Sequence, residues 1–132
     1  MQVKEKACGC IIVEDGKVLL IQQKSKAWGF PKGHVEFNEK EDQTAKREVK
    51  EETNLEVKIF KNKRYEINYI TDKGNQKQVI FFLAKRTDGE LKMQESEIID
   101  IQWFEFAKAI KRLSYDNTRE LLKRVIAENH LS

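Results

Sequence analysis

Three glutamates within residues 33–55 constrain the fold of this chain more than any other feature of its sequence. Glu48, Glu51 and Glu52 are spaced three and four positions apart, so an α-helix would project their carboxylates from adjoining parts of one face. An alanine and a valine four positions apart supply the packed face of the same helix. We therefore predict a carboxylate-bearing helix over about residues 40–53.

Carboxylates gathered in this way repel one another and need a compensating charge. At an effective dielectric constant near 20, two of them about 4 Å apart repel by roughly 4 kcal/mol, which raises their pKa values or recruits a cation. Oxygen ligands without Cys or His favour Mg²⁺ or Mn²⁺, and Mg²⁺ is commonly shared with substrate phosphates. A second interpretation is a solvated helix face, because Lys46 and Lys50 lie among the acids and Lys–Glu pairs are ordinary on exposed helices.

A longer pattern around the glutamates favours the metal-binding interpretation. It comprises Gly33, Glu39, Arg47-Glu48, Val49, Glu51-Glu52 and Leu55. This gapped series of fixed charges resembles the signature of the Nudix hydrolases. One position differs, because Asn54 stands where that family usually has Gly. Gly is favoured there since a left-handed residue commonly closes a helix, and Asn is the next residue to tolerate that conformation.

Strand patterns lie before and after the predicted helix. Two apolar runs flank Asp15-Gly16, which predicts a hairpin over residues 6–23, and residues 78–85 read as a strand buried on both faces. The remaining predicted elements are strands at 55–70, 90–93 and 99–106 and helices at 107–113 and 117–129. We expect one domain over residues 1–132 with an α/β (α+β) fold. The Nudix resemblance implies an α/β/α sandwich with a mixed sheet and the glutamate helix on one face.

Composition argues against several classes of protein. A net charge of +3 without an aromatic-basic motif gives no basis for a stable nucleic-acid complex. No apolar run is long enough for a membrane helix and no secretory pattern is present, so we expect a cytoplasmic protein. Cys8 and Cys10 would lie on the same face of a strand, which suits burial rather than a zinc site. Both a monomer and a homodimer remain open.

The resemblance implies hydrolysis of a pyrophosphate linkage that joins a nucleoside diphosphate to another group. Mg²⁺ or Mn²⁺ would be held by Glu48, Glu51 and Glu52, with Glu48 as our choice for the base that activates water. The Gly33 carbonyl would be a further ligand, and Arg47 would orient the carboxylates.

Three other acids have open roles. Glu97, six positions ahead of Trp103, lies where the family supplies an additional metal ligand, and Glu95 is the alternative. Both also fit an exposed loop, where acids are usually found. Glu39 would be structural or an outer-sphere ligand.

The loop ahead of the helix bears on the substrate. Its sequence from Trp28 to Glu36, WGFPKGHVE, resembles the W-x-x-P-K-G-H-x-E motif of the diadenosine tetraphosphate hydrolases and their diphosphoinositol-polyphosphate relatives. Lys32 would meet a phosphate as a point charge, and His34 would hydrogen-bond a phosphate or donate a proton. A hydrogen bond that stabilises the loop is the alternative role for His34.

A nucleobase also needs an aromatic surface. Tyr115 and either Phe81 or Phe82 are the candidates, and the two phenylalanines would point to opposite faces of their strand. Trp28 would form a wall of the pocket, although each of these aromatic residues also fits a core position.

Three functional hypotheses follow. The first is a Mg²⁺-dependent hydrolase of a small nucleotide substrate, diadenosine tetraphosphate, cleaved to ATP and AMP. The second is a nucleoside triphosphate pyrophosphatase or an RNA 5′-pyrophosphohydrolase. The third is a Nudix fold that binds a nucleotide without hydrolysing it, and the complete set of acids argues against this last hypothesis.

Overall fold

A mixed sheet with strand β1 near its centre forms the framework of the protein. The computed structural model describes residues 4–132. Its strands are β1 (Lys4–Glu14), β2 (Lys17–Gln23), β3 (Trp28–Gly29), β4 (Lys32–His34), β5 (Glu56–Ile70), β6 (Gln76–Asp88) and β7 (Ile98–Glu105). Its helices are α1 (Glu41–Thr53), α2 (Phe106–Arg112) and α3 (Asp116–Glu128).

Strand β1 changes partners along its length. It runs parallel to β6 and antiparallel to β4 on its opposite edge, and its last residues pair with β2. The β1–β2 turn consists of Asp15 (φ 50°) and Gly16 (φ 75°), the positive-φ pair that the Asp-Gly sequence predicts. Beyond these strands, β2 pairs with β3 and β7, and β6 pairs with β5. This topology places the short strand β4 beside the middle of β1.

Alternating residues of β1 and β6 supply a separate core on each face of the sheet. The core under α1 includes Cys8, Cys10, Ala45, Val49, Ile80 and Phe82. The core under α2 and α3 includes Ile11, Phe30, Phe81, Ala109, Leu122 and Val125. The predicted α/β/α sandwich is therefore confirmed, and the two cysteines are buried and free. Within residues 4–132, no helix is long and apolar enough to cross a membrane.

Local hydrogen bonds define both ends of α1. Lys40 has an extended backbone, and its N–H donates to Gln43 Oε1 at 2.9 Å. At the other end Asn54 has a φ of 68°, and its N–H donates to the Lys50 carbonyl at 2.9 Å. The helix predicted over about residues 40–53 is confirmed, and Asn54 adopts the left-handed conformation that its position requires.

The strand predicted over residues 90–93 is wrong, because this segment lies in a loop. Gly89 turns the chain with a φ of 94°, a conformation outside the range of an L-residue strand. The N–H of Lys92 then donates to the Thr53 carbonyl at 3.0 Å, so the loop bonds to the end of α1 rather than to a neighbouring strand.

Glu41 joins the start of α1 to the sheet and should make stability sensitive to acid. Its carboxylate accepts hydrogen bonds from Arg64 Nε at 2.8 Å and Nη2 at 2.9 Å, and it lies 2.7 Å from Lys6 Nζ. Arg64 foremost, with Lys6, lowers the pKa of Glu41 from 4.5 to about 2. A lowered folded-state pKa gives stability that is present above pH 4.5 and is lost as the pH falls towards 2.

We expect Glu41→Gln to lower the free energy of unfolding by about 1 kcal/mol at pH 6. The difference from the wild type should shrink in melts recorded between pH 4.5 and pH 2. Glu120→Gln, which removes an exposed helix pair with Lys123, is the matched control and should change the melting temperature little. A difference for Glu41→Gln that stays constant down to pH 2 would contradict this account.

Candidate active site

The guanidinium group of Arg47 connects the carboxylates of the site. Its Nε and Nη2 donate to the two oxygens of Glu39 at 2.7 and 3.0 Å. Its Nη1 donates to Glu48 at 2.9 Å and to Glu51 at 3.1 Å. Its Nη2 also donates to the His34 carbonyl at 3.0 Å, which ties α1 to β4. One planar cation thus offsets the repulsion among three carboxylates.

Glu39 is held firmly by its donors. Besides Arg47, its Oε1 accepts hydrogen bonds from the Glu36 N–H at 2.9 Å and the Thr44 hydroxyl at 2.8 Å. Arg47 foremost lowers the pKa of Glu39 to about 2. Both oxygens of Glu39 are therefore engaged within the protein, which fits a structural role.

Glu48 occupies space that only a glycine on β4 leaves free. A Cβ atom added to Gly33 would lie 2.0 Å from Cδ of Glu48, far inside van der Waals contact. Gly33 is itself positioned by pairing with Cys8 of β1. The absence of a side chain at Gly33 therefore lets the Glu48 carboxylate pack directly against the strand.

Glu52 is the most buried acid of the site. Its side chain is buried, and its Oε1 accepts a hydrogen bond from the Lys32 N–H at 3.1 Å. Burial foremost, followed by the charge of Glu48, raises the pKa of Glu52 to about 8. Burial also raises the pKa of Glu48, although Arg47 acts in the opposite direction. Glu48 and Glu52 therefore form a pair whose ionisation is costly without further positive charge.

Glu97 lies close enough to act on this pair. Its negative charge contributes to the raised pKa values of both Glu48 and Glu52. Glu95 is exposed, and its carboxylate makes no hydrogen bond or ion pair with the described residues. Of the two loop acids predicted as an additional ligand, Glu97 is the one whose charge acts on Glu48 and Glu52, and its side chain is exposed like that of Glu95.

The acids offer the oxygen ligands that a hard divalent ion prefers, but their side chains are not positioned to coordinate one together. Within residues 4–132, no three His, Cys, Asp or Glu side chains are placed to hold a metal ion. Arg47 engages Glu48 and Glu51, and the Lys32 N–H engages Glu52. The donor set is entirely oxygen, which suits Mg²⁺ or Mn²⁺.

A cleft of about 450 Å³ lies on the α3 side of β6 and extends to Lys32. Four of the predicted substrate-binding residues line it, namely Trp28, Lys32, Phe81 and Tyr115. Its walls also contain three residues that sequence analysis missed, namely Tyr69, Lys77 and Asn117. Phe82 packs in the other core under α1, so Phe81 is the phenylalanine on the cleft side.

Lys32 and Lys77 place two positive charges close together in the cleft. Burial foremost, and then the charge of Lys77, lowers the pKa of Lys32 to about 8. Among residues 4–132, neither ammonium group has a carboxylate within ion-pair distance. Lys77 shares the period-two face of Phe81 on β6, and this signal could have identified it from the sequence. The pair is suited to an anionic ligand.

Two other predicted substrate-binding residues, His34 and Trp28, are not part of this pair of lysines. His34 is exposed, does not line the cleft, and places its Nε2 3.1 Å from Glu5 Oε1. Its placement therefore matches the alternative role of stabilising the loop. Trp28 packs edge-on against Phe104 with ring centroids 5.4 Å apart, so it is a buried wall of the cleft.

Arg47 should contribute strongly to stability because its removal leaves acids uncompensated. We expect Arg47→Gln to lower the free energy of unfolding by roughly 2–3 kcal/mol in a denaturant titration. Arg47→Lys should recover only part of the loss, since an ammonium group lacks the forked geometry. Arg124→Gln, which removes an exposed pair with Glu128, should cost at most about 0.5 kcal/mol and serves as the control. Equal effects of Arg47→Gln and Arg124→Gln would contradict this assignment.

Most of the chain is similar to proteins of one family. Residues 3–125 match the model of the NUDIX domain. The chain is 34% identical over 130 residues to the bis(5′-nucleosyl)-tetraphosphatase [asymmetrical] of Caenorhabditis elegans, covering 92% of this chain and 94% of the relative. It also resembles the crystal structure of a C. elegans Ap4A hydrolase binary complex, with a TM-score of 0.86 and 32% identity over 96% of this chain and 98% of that one.

Other curated relatives are considerably longer. The NAD-capped RNA hydrolase NudC of Haemophilus influenzae is 40% identical over 81 residues, which cover 61% of this chain and 29% of NudC. The chain spans 39% and 34% of two further relatives. The domain model and the C. elegans relative nevertheless cover nearly all of this sequence. The chain therefore belongs to the Nudix hydrolase family.

Proposed function

We propose that this protein is a divalent-metal-dependent hydrolase of dinucleoside polyphosphates, with diadenosine tetraphosphate cleaved asymmetrically to ATP and AMP. The similarity over most of both chains to a tetraphosphatase named as asymmetrical supports this substrate class. Nudix hydrolases generally use divalent metal ions, and the all-oxygen acid cluster of α1 is consistent with that requirement.

The proposal depends chiefly on the position of Lys32 between the acid cluster and the cleft. Its N–H binds Glu52 in the acid cluster, while its side chain lines the cleft beside Lys77. A polyphosphate bound by the two ammonium groups would therefore have its phosphates next to the carboxylates. A nucleoside attached to that chain would extend into the cleft.

The acids would have different roles in the reaction. Glu48, Glu51 and Glu52 would hold the metal, with the Gly33 carbonyl and Glu97 as additional oxygen ligands. When bound, the metal neutralises phosphate charge and lowers the pKa of water. Glu48 would accept the proton of the attacking water at its carboxylate.

Arg47 would orient the acids without touching the substrate. It binds Glu48 and Glu51 through Nη1, and its bonds to Glu39 keep the guanidinium in place. Because Glu39 holds the other edge of the guanidinium, Arg47 would keep the carboxylates of Glu48 and Glu51 directed at one site.

Tyr115 would stack on a base at the mouth of the cleft. Its side chain is exposed, and Tyr69 lines the same cleft. An exposed aromatic ring beside a cationic pocket suits a nucleobase joined to phosphates. Phe81 lies in the core behind them and would close the floor rather than stack.

The direct test is product analysis by anion-exchange chromatography. Diadenosine tetraphosphate, a panel of nucleoside triphosphates and 5′-triphosphorylated RNA are each offered with Mg²⁺, with a chelator as control. We expect ATP and AMP in equal amounts from diadenosine tetraphosphate, and no reaction with the chelator. Preferential release of pyrophosphate from a nucleoside triphosphate or from RNA would overturn the proposed substrate, as would two molecules of ADP.

Removal of one charge from the acid pair should abolish most of the activity but preserve the fold. We expect Glu48→Gln and Glu52→Gln each to lower kcat by roughly 10²–10³-fold, because both would hold the metal. Glu56→Gln, which alters an exposed acid paired with Lys50, should retain wild-type kcat. Thermal melts accompany the assay, and unfolding of both site variants would make the cluster structural instead of catalytic.

Loss of the Tyr115 ring should weaken substrate binding more than turnover. Stacking of a base contributes roughly 1–3 kcal/mol, so Tyr115→Ala should raise KM by about 5- to 150-fold with a smaller change in kcat. Tyr115→Phe retains the ring and should behave like the wild type in the same steady-state assay. An unchanged KM for Tyr115→Ala would exclude this residue as the base-binding surface.

A further inference from the structure

We propose that Asn54 is a positioning residue that docks the loop of residues 89–97, and with it Glu97, onto the end of α1. The inference rests on the proposed function, in which Glu97 is a metal ligand. It assigns a task to the residue that stands where the family usually has Gly.

Closure of the helix does not by itself account for the Asn54 side chain. Glycine could also adopt the left-handed backbone of Asn54, with its φ of 68°, and donate the same hydrogen bond from its N–H to the Lys50 carbonyl at 2.9 Å. The side chain makes a separate contact, because Nδ2 donates to the Glu90 carbonyl at 3.1 Å. Asn54 thus performs the capping task and adds a bond to the loop.

Two neighbouring contacts join the same surfaces. The Lys92 N–H donates to the Thr53 carbonyl at 3.0 Å. Gly89 lies so close to the end of α1 that an added Cβ atom would be 2.6 Å from the Asn54 carbonyl oxygen. The loop is therefore docked on Thr53 and Asn54 through both hydrogen bonds and close packing.

The opposite end of the loop is held by Lys24, the residue that follows β2. The Glu97 carbonyl accepts a hydrogen bond from the Lys24 N–H at 3.1 Å, and the Glu97 N–H donates to the Gln94 carbonyl at 3.1 Å. Immediately afterwards Ile98 is buried at the start of β7. Both ends of the loop are thus hydrogen-bonded to neighbouring segments, and the charge of Glu97 acts on Glu48.

Asn54→Gly isolates the side-chain contact because glycine retains the left-handed backbone. In the metal-free protein, we expect faster hydrogen exchange at residues 89–97 and no change in the exchange of α1. Mn²⁺ alone, titrated into the protein, should bind about fivefold more weakly, the factor expected for the loss of one ordinary hydrogen bond. Asn38→Gly is the matched control, since exposed Asn38 also has a positive φ, of 64°, and makes no side-chain hydrogen bond with the described residues.

A second variant, at Gly89, disrupts the contact between the loop and the end of α1 from the loop side. Gly89→Ala should reproduce the faster exchange of the loop and the weaker Mn²⁺ binding, because the new methyl group collides with backbone. In a Glu97→Gln background, Asn54→Gly should weaken Mn²⁺ binding no further, since the two residues would act through one carboxylate. Additive losses would show that Asn54 affects Mn²⁺ binding independently of Glu97 and would overturn the proposal.

The outcomes separate this inference from the proposed function. Unchanged loop exchange and Mn²⁺ affinity in Asn54→Gly, with wild-type protein that hydrolyses diadenosine tetraphosphate, would overturn the docking role only. A wild-type protein that binds Mn²⁺ but hydrolyses none of the nucleotides would overturn the proposed function, while loop exchange and Mn²⁺ affinity would still decide the role of Asn54.

Discussion

The hydrogen bonds of Arg47 to its surrounding carboxylates are the interaction on which the site depends. Glu48 and Glu51 lie on one helix, Glu39 precedes that helix, and their charges would otherwise repel one another. Arg47 satisfies all three acids and also binds the His34 carbonyl, so helix and strand β4 share one cation. The fork geometry of guanidinium makes this multiple bonding feasible, whereas an ammonium group would act as a point charge.

Strand pairing places the acid cluster beside the cleft. Strand β1 pairs with β4, which carries Gly33 against the Glu48 carboxylate and Lys32 against Glu52. The other side of the same sheet presents Lys77 and the aromatic wall to the cleft. Acidic and basic groups are thereby separated by one short strand. In the function that we propose, this separation would let the phosphates face both the ammonium groups and the carboxylate cluster.

Local rules explain which parts of the fold and site could be predicted. Helical spacing identified the carboxylates of α1, and turn chemistry identified the Asp15-Gly16 hairpin and the left-handed Asn54. Non-local contacts were harder to predict. The partner of His34 is Glu5, which is distant in sequence, and the 90–93 segment bonds to α1 although its composition suited a strand. Lys77 was missed although it lies on the same alternating strand face as Phe81. Its relevance to the site depends on its proximity to Lys32, which the sequence alone does not show.

We propose that the α1 carboxylates form a divalent-cation site. Titration of Mn²⁺ into chelator-treated protein, followed by the electron paramagnetic resonance of free Mn²⁺, tests it most directly in the wild type and in Glu48→Gln. We expect saturable binding by the wild type and at least roughly tenfold weaker binding by the folded variant. Equal affinity in the two proteins, or no saturable binding by the wild type, would contradict it.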